Sequence, residues 1–181
     1  MLAPLGFEPV PQGALGVPEA EEPHHTFVEN ALAKARNAAR HTNHAALADD
    51  SGLCVDSLGG APGVHSAYFA GHDGSRGERD RANNALLLER MAGQANRRAH
   101  YYCVIVLVRH ADDPEPVITE GRWAGEIALR ARGNGGFGYD PLFVVAGREV
   151  TVAELTPEDK NRMSHRATAL GRLVARLGSL D

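Results

Sequence analysis

Apolar residues recur at helical spacing in some parts of the chain and in short strand-like runs in others. Alanine is the best helix former, and the spacing of Phe27, Ala31, Ala35 and Ala38 predicts a helix that begins at Thr26. The same period, with a proline suited to a first helical turn at 157, predicts three further helices. The predicted helices are 26–40, 78–91, a short one from 157, and 165–177.

Strand-like runs lie between these helices. The run His100–Val108 is rich in β-branched and aromatic residues and is the strongest strand prediction in the chain. The predicted strands are 45–48, 100–108, 117–129 and 142–145. Asp49-Asp50-Ser51-Gly52 is predicted to be where the first strand ends and a turn begins. Helices and strands interleave without strict alternation, which predicts an α/β fold with an elongated mixed central sheet.

Composition narrows the functional classes. The 181 residues carry a formal net charge of −4, so there is no general attraction to nucleic acid or to an anionic membrane. No apolar run approaches the ~20 residues that a membrane span needs, and the first residues lack the pattern of a signal peptide. Cys54 and Cys103 are expected to be buried thiols rather than a disulfide. These features predict a cytoplasmic protein.

The first candidate constellation is acidic. Glu29 lies on the first turn of a predicted helix, and Asp49 and Asp50 follow a predicted buried strand. Together they could bind Mg²⁺, which prefers one or two carboxylates plus phosphate oxygens and water. Structural alternatives remain open for both parts, because Thr26-x-x-Glu29 is also a helix capping box and Asp49-Asp50-Ser51-Gly52 is also a turn sequence.

The second constellation is the glycine-rich segment Gly133–Asp140. Its glycines allow a close approach of the backbone to a ligand, and Phe137 and Tyr139 offer faces that could stack on a nucleobase. The alternative is a hairpin loop whose aromatic side chains fold back into the core.

The third constellation is cationic. Lys160, His165 and Arg166 place donors around a predicted helix start, where they could recognise the 6-oxo group of hypoxanthine or xanthine. The same donors would face the 6-amino group of adenine unpaired, at a cost in affinity. The alternative is a solvated helix end that Ser164 caps.

Together these segments resemble the inosine/xanthosine triphosphate pyrophosphatases. The matching segments are Thr26-Phe-Val-Glu-Asn-Ala31, Ala48-Asp-Asp-Ser-Gly-Leu53, Gly59-Gly-Ala-Pro-Gly63, Gly135-Gly-Phe-Gly-Tyr-Asp-Pro141, Ala153-Glu-Leu155, Lys160-Asn161 and Ser164-His-Arg166. The resemblance implies two α/β lobes flanking a nucleotide cleft and a homodimer. The implied reaction is magnesium-dependent hydrolysis of ITP, dITP or XTP to the monophosphate and pyrophosphate.

The resemblance also assigns roles by position. Asp50 corresponds to the general base and metal ligand, Glu29 to a second metal ligand, and Asp49 to a support for that pair. The residues implied to bind substrate are Ser51, Phe137, Gly138, Tyr139, Asp140, Lys160, His165 and Arg166. The loop residues are implied to pack base and sugar, and the cationic residues to contact the purine edge.

One part of the family pattern is absent. Family members begin with a strand and a Ser/Thr-x-Asn-x-x-Lys phosphate-binding motif, whereas Met1–Val10 resembles the end of the first helix and the strand after it. The chain is therefore expected to be a single pyrophosphatase domain, residues 1–181, that is incomplete at its N-terminus. A catalytically weak nucleotide-binding paralogue and a pyrophosphatase for other modified nucleotides stay open as alternatives.

Overall fold

The computed structural model describes residues 8–178 and confirms a mixed α/β fold. In chain order the helices and strands are α1 (Phe27–Thr42), β1 (Ala46–Val55), α2 (Arg76–Arg90), β2 (Arg98–Val108), β3 (Val117–Ile127), β4 (Phe143–Val145), α3 (Pro157–Met163) and α4 (His165–Leu177). Each predicted helix and strand is present, and the α4 prediction matches at both ends. Pro157 occupies the first turn of α3, as predicted.

The four strands form one sheet in the order β1-β2-β3-β4. β4 pairs antiparallel with β3, so that Gly125 lies opposite Val145 and Ile127 opposite Phe143. β3 alternates between exposed and buried positions from Ile118 onward, as a strand does when one face contacts the core and the other contacts solvent. β2 is instead buried along most of its length, in keeping with its β-branched sequence.

Within the described residues the chain divides into two compact units. The first unit comprises the chain up to Asp50, Cys103–Gly121 and the chain from His165 onward, and the second comprises Ser51–Tyr102 and Arg122–Ser164. Each unit has its own apolar core. The first is built around Cys103, Ile105, Ala169 and Leu173. The second contains Leu53, Val55, Leu87, Met91, Ala99, Tyr101, Trp123, Ile127, Tyr139, Leu142, Phe143, Val145 and Val152.

Helix α1 in the first unit follows directly from its sequence. The side chain of Thr26 caps the first turn by accepting the backbone N–H of Glu29. Ala31, Ala35 and Ala39 recur at the i, i+4 spacing of one helix face, and each is almost fully buried. Small side chains along this stripe allow α1 to pack closely against the rest of the first unit. This packing fixes the positions of Asn30 and Lys34 on the adjacent face of the helix.

Helix α4 packs on β3 through a very close contact in the first unit. The Thr119 hydroxyl donates to the Ala169 carbonyl at 3.0 Å. A Cβ atom added at Gly121 would lie 1.9 Å from the His165 carbonyl oxygen, far inside van der Waals contact. Glycine is therefore required at 121, and this contact fixes the first turn of α4, which carries Arg166.

The predicted end of the first strand is wrong. β1 continues through Asp49-Asp50-Ser51-Gly52 to Val55, so this sequence is extended strand rather than a turn. Leu53 and Val55 are both fully buried, and burying them favours continuation of the strand into the core of the second unit. Two adjacent acids are tolerated inside β1 because they point to opposite faces, as described below.

The N-terminal segment before α1 is anchored within the first unit. Val17 is buried, and a 3-10 turn covers Gln12–Leu15. The Asn37 side chain on α1 donates to the Pro18 carbonyl at 2.8 Å, which holds this segment against the helix. Residues 1–7, which carry most of the expected match of Met1–Val10 to a helix end and strand, lie outside the described residues.

Two simpler predictions can be checked within residues 8–178. Cys54 and Cys103 are free thiols, as expected; Cys103 is buried, as predicted, whereas Cys54 is only half-buried. Over the same range, every helix is too short or too polar to cross a lipid bilayer.

Candidate active site

Asp50 is a buried carboxylate in the middle of β1. The residue is only 7% exposed, and its Oδ1 accepts the Lys34 ammonium at 3.0 Å. Asn30 Nδ2 donates to Oδ2 at a longer 3.4 Å. Burial raises the pKa of Asp50, and the opposing effects of Lys34 and Asn30 do not fully cancel it. Asp50 therefore has greater proton affinity than an ordinary aspartate, which is the property a general base needs.

Lys34 connects Asp50 to a second acid. Its Nζ lies 2.7 Å from Glu22 Oε2 and 3.0 Å from Asp50 Oδ1, and it also donates to the Asp49 carbonyl at 3.3 Å. Burial alone would lower the pKa of Lys34, but the hydrogen bonds and charges of Glu22 and Asp50 outweigh it and raise the pKa. Two carboxylates thus converge on one cationic position, and Lys34 is held there as a charged ammonium.

Asn30 fixes the segment that carries Glu22. Its Oδ1 accepts the His24 backbone N–H at 3.0 Å, and its Nδ2 donates to the His24 carbonyl at 3.3 Å as well as to Asp50. The side chain is 1% exposed. Asn30 therefore joins the chain before α1 to the acid in β1, and this brings Glu22 towards Lys34.

Asp49 does not join this cluster through its side chain. Successive side chains of a strand point to opposite faces, and Asp49 Oδ2 instead accepts Arg166 Nε at 3.1 Å and Nη2 at 2.8 Å. Cys103 Sγ lies 3.7 Å from the same oxygen. Burial raises the pKa of Cys103 to about 12, so this thiol stays protonated and is not a nucleophile.

Glu29 is placed in a helix cap. Its Oε2 accepts the Thr26 hydroxyl at 2.5 Å, and the residue is exposed on the first turn of α1. The structure therefore brings Glu22, rather than Glu29, to the Lys34–Asp50 pair. Glu22 lies in an irregular segment, where local sequence pattern gives no indication of where the side chain will point.

The remaining predicted residues of the first unit, His165 and Arg166, lie at the start of α4. Ser51 follows Asp50 in β1. His165 is the first residue of α4 and is half-buried, while Arg166 next to it keeps 49% of its side chain exposed. Ser51 is half-buried within the strand and is the first residue of the second unit.

In the second unit, Asp140 organises the glycine-rich loop. Its Oδ2 accepts the Lys160 ammonium and the Phe137 backbone N–H, the latter at 2.8 Å, and its Oδ1 lies 3.4 Å from the Tyr101 hydroxyl. Asp140 is 3% exposed. Gly136 has a φ of +74°, and a Cβ there would come within 2.0 Å of Asp140 Oδ2. Glycine at 136 thus allows the loop to close around the carboxylate.

The two aromatic residues of the glycine-rich loop differ in burial. Tyr139 is 3% exposed, belongs to the core of the second unit, and donates its hydroxyl to the Ser66 carbonyl at 2.9 Å. Phe137 is 51% exposed, with Lys160 Nζ 4.2 Å and Arg76 Cζ 4.7 Å from its ring centre. The expectation that the aromatics fold back into the core is confirmed for Tyr139, whereas Phe137 stays half exposed and its stacking on a base stays a prediction.

Several residues of these clusters were missed by sequence reasoning. On α1 a signal was present, because Asn30 and Lys34 are polar residues at i, i+4 beside the buried alanine stripe. The contact of Glu22 with Lys34 depends on tertiary structure, and so do the contacts of α2 with the glycine-rich loop. Among residues 8–178, no group of three or more His, Cys, Asp or Glu side chains forms a ready metal cage.

Comparison with known proteins gives one consistent result. A profile of the Ham1 family matches residues 2–176. The dITP/XTP pyrophosphatase of Ralstonia nicotianae is 59% identical over 177 residues, covering 98% of this chain and 88% of the relative. The dITP/XTP pyrophosphatase of Burkholderia pseudomallei is 61% identical over 180 residues, covering 99% and 86%.

Solved structures give the same fold. A HAM1 protein from Coxiella burnetii superimposes with a TM-score of 0.88 at 46% identity, covering 93% of this chain and 85% of the other. The Ham1 protein of Staphylococcus aureus gives a TM-score of 0.85 at 39% identity, covering 94% and 85%.

Proposed function

We propose that this chain, which belongs to the Ham1 family, hydrolyses the purine nucleoside triphosphates ITP, dITP and XTP to the monophosphate and pyrophosphate. The observation that carries the proposal is the identity of about three residues in five, over nearly the whole chain, to relatives named dITP/XTP pyrophosphatases. The burial of Asp50 and its pairing with Lys34 add support from the geometry.

Asp50 is the proposed general base. Its buried carboxylate would take a proton from a water molecule as the water oxygen attacks phosphorus. The anhydride bond between the α- and β-phosphates then breaks, and pyrophosphate leaves with the electron pair of that bond. The raised proton affinity of Asp50 favours this transfer, while Lys34 beside it places a positive charge where phosphate oxygens would gain negative charge.

Magnesium fits the residues that converge on Lys34. Glu22 and Asp50 are hard oxygen donors and already share one cation in the structure, the Lys34 ammonium. Two carboxylates plus substrate phosphates are a usual magnesium donor set, so a complete protein cage is not needed. Glu22 and Asp50 would hold the ion, which when bound would neutralise phosphate charge. Glu29 stays an alternative ligand.

The purine edge is assigned to Lys160, His165 and Arg166. Two of them have fixed orientations, because Lys160 is paired with Asp140 and Arg166 with Asp49. Donors held in place in this way would donate hydrogen bonds to a 6-oxo group and would be left unpaired against a 6-amino group. We also propose that the protein is cytoplasmic and acts as a homodimer. Light scattering of the purified chain tests the dimer.

The experiment measures pyrophosphate release from ITP, dITP, XTP, ATP and GTP, with magnesium and after its removal by EDTA. We expect kcat/KM for dITP and XTP to exceed that for ATP by roughly a hundredfold or more. Activity should disappear with EDTA and return when magnesium is added. Equal turnover of ATP and dITP, or no pyrophosphate release from any of them, would refute the proposal.

A further inference from the structure

Three side chains on one face of α2 contact the exposed end of the glycine-rich loop in the second unit. Asp80 Oδ2 accepts the Gly138 backbone N–H at 2.8 Å, and Asn84 Nδ2 donates to the Gly138 carbonyl at 2.8 Å. Arg76 Cζ lies 4.7 Å from the ring centre of Phe137. Arg76, Asp80 and Asn84 recur at i, i+4 and i+8, so they form a single stripe along the helix, called here the α2 stripe.

The α2 stripe holds both the backbone and the ring of the loop tip. Gly138 has a φ of +60° and bonds α2 through both its N–H and its carbonyl group, so the peptide next to Phe137 cannot rotate freely. Asp140 accepts the N–H of Phe137 itself at 2.8 Å. The backbone that carries this ring is therefore fixed from two directions.

The Phe137 ring nevertheless stays partly exposed to solvent. With Arg76 and Lys160 both within 5 Å of its centre, Phe137 still exposes 51% of its surface. A ring that is half exposed buries only part of its apolar surface, so core packing alone does not account for the contacts around it. A half-exposed aromatic ring on a fixed backbone, with two cations over it, is a surface on which a nucleobase could stack.

We propose that the α2 stripe is a positioning element that fixes Phe137 as the stacking platform for the purine base, with Arg76 setting the orientation of the ring. This inference rests on the proposed nucleotide substrate. Stacking tolerates different bases, since every base has a π-face, so the stripe contributes affinity for the nucleotide rather than discrimination between 6-oxo and 6-amino purines.

The test compares Arg76→Ala with a control, Arg81→Ala. Arg81 is an exposed arginine of α2 that lies outside the stripe. We expect Arg76→Ala to raise KM for ITP and ATP by the same factor, about two- to fivefold, the size of one exposed cation–π contact. kcat and the melting temperature should stay unchanged, and Arg76→Lys should restore most of the affinity. Arg81→Ala should leave all these values at the wild-type level.

A double-mutant cycle tests whether Arg76 acts through the ring. In a Phe137→Ala background, which itself should raise KM about tenfold or more, Arg76→Ala should have no further effect. The Kd for inosine monophosphate, measured by calorimetry, gives the same comparison without turnover. If Arg76→Ala leaves KM and Kd unchanged, or acts equally strongly without the Phe137 ring, the inference is wrong. Absence of pyrophosphate release by the wild type would instead refute the proposed activity.

Discussion

Asp50 in the first unit and Asp140 in the second are both buried and both paired with a lysine, yet their surroundings differ. Asp140 accepts a charged ammonium and a backbone N–H on Oδ2, and the Tyr101 hydroxyl approaches Oδ1. Asp50 accepts Lys34 at 3.0 Å and Asn30 at a long 3.4 Å, and Lys34 is shared with Glu22. The two carboxylates thus receive different amounts of compensation for the same loss of water.

The comparison shows that a lysine partner does not by itself define the role of a buried acid. The donors around Asp140 tie together a loop, a strand and a helix, which suits a structural role. Those around Asp50 leave its pKa raised, because burial outweighs them. A buried carboxylate whose partners do not fully offset its loss of water destabilises the fold but binds a proton more readily, which suits a general base. We therefore expect Asp→Asn to affect stability in opposite directions at positions 50 and 140.

The sharpest test of this contrast is Asp50→Asn. Loss of the general base should reduce the rate of pyrophosphate release by about 10²–10⁴-fold. The melting temperature should stay the same or rise, because the substitution removes a buried charge. A variant that keeps more than about a tenth of the wild-type rate would remove Asp50 from the role of general base.

Asp140→Asn should give the opposite result, with a large effect on stability. The neutral amide has no charge to pair with the Lys160 ammonium in this buried site, so the free energy of unfolding should fall by about 2–3 kcal/mol. Urea denaturation measures this change. If the folded protein is as stable as the wild type, the loop does not depend on the carboxylate and the contrast fails.

The identity of the second metal ligand can be decided with a matched pair, Glu22→Gln and Glu29→Gln. We expect Glu22→Gln to raise the magnesium concentration needed for half-maximal activity by about tenfold, which corresponds to the loss of a ligand that contributes ~1.4 kcal/mol to magnesium binding. Glu29→Gln should leave the magnesium dependence unchanged, because its carboxylate lies in the α1 cap. The reverse pattern would make Glu29 the ligand.

Arg166→Ala should have the smallest of these effects. The Arg166–Asp49 pair is half exposed, and such pairs contribute about 0–1 kcal/mol to stability. Loss of one base-reading hydrogen bond of ~1 kcal/mol should reduce the preference for ITP over ATP, in kcat/KM, by about fivefold. An equal fall for both substrates would assign Arg166 to orienting Asp49 instead.

Local pattern predicted the elements of this fold well, and the reason for its main failure, the length of β1, is physical. Helical spacing located α1 and α4 because each buries one apolar face. β1 was predicted too short because two adjacent acids are typical of a turn, whereas Lys34 and Arg166 compensate them from opposite faces. These cations come from helices on either side of β1 in the sequence, so no window of sequence around β1 contains them.

The site was predicted less completely than the fold. The positions of Asp50 and of the glycine-rich loop follow from motifs, and their functional roles remain predictions. Both the family resemblance and its place on a first helical turn predict Glu29 as the second acid, but its carboxylate accepts the Thr26 hydroxyl in the structure. Glu22 approaches Lys34 only through the path of an irregular segment that Asn30 holds, and such a path has no periodic signal.

Trp123 makes intrinsic fluorescence a probe of the second unit. It is the sole tryptophan of the sequence, and its ring lies in the second unit, 6.5 Å from the ring centre of Tyr101 and 6.0 Å from that of Phe143. Intrinsic fluorescence excited at the indole will therefore follow unfolding around the glycine-rich loop. Opening of the first unit, where Asp50 and Lys34 pair, is instead followed by far-ultraviolet circular dichroism, through the loss of α1 and α4.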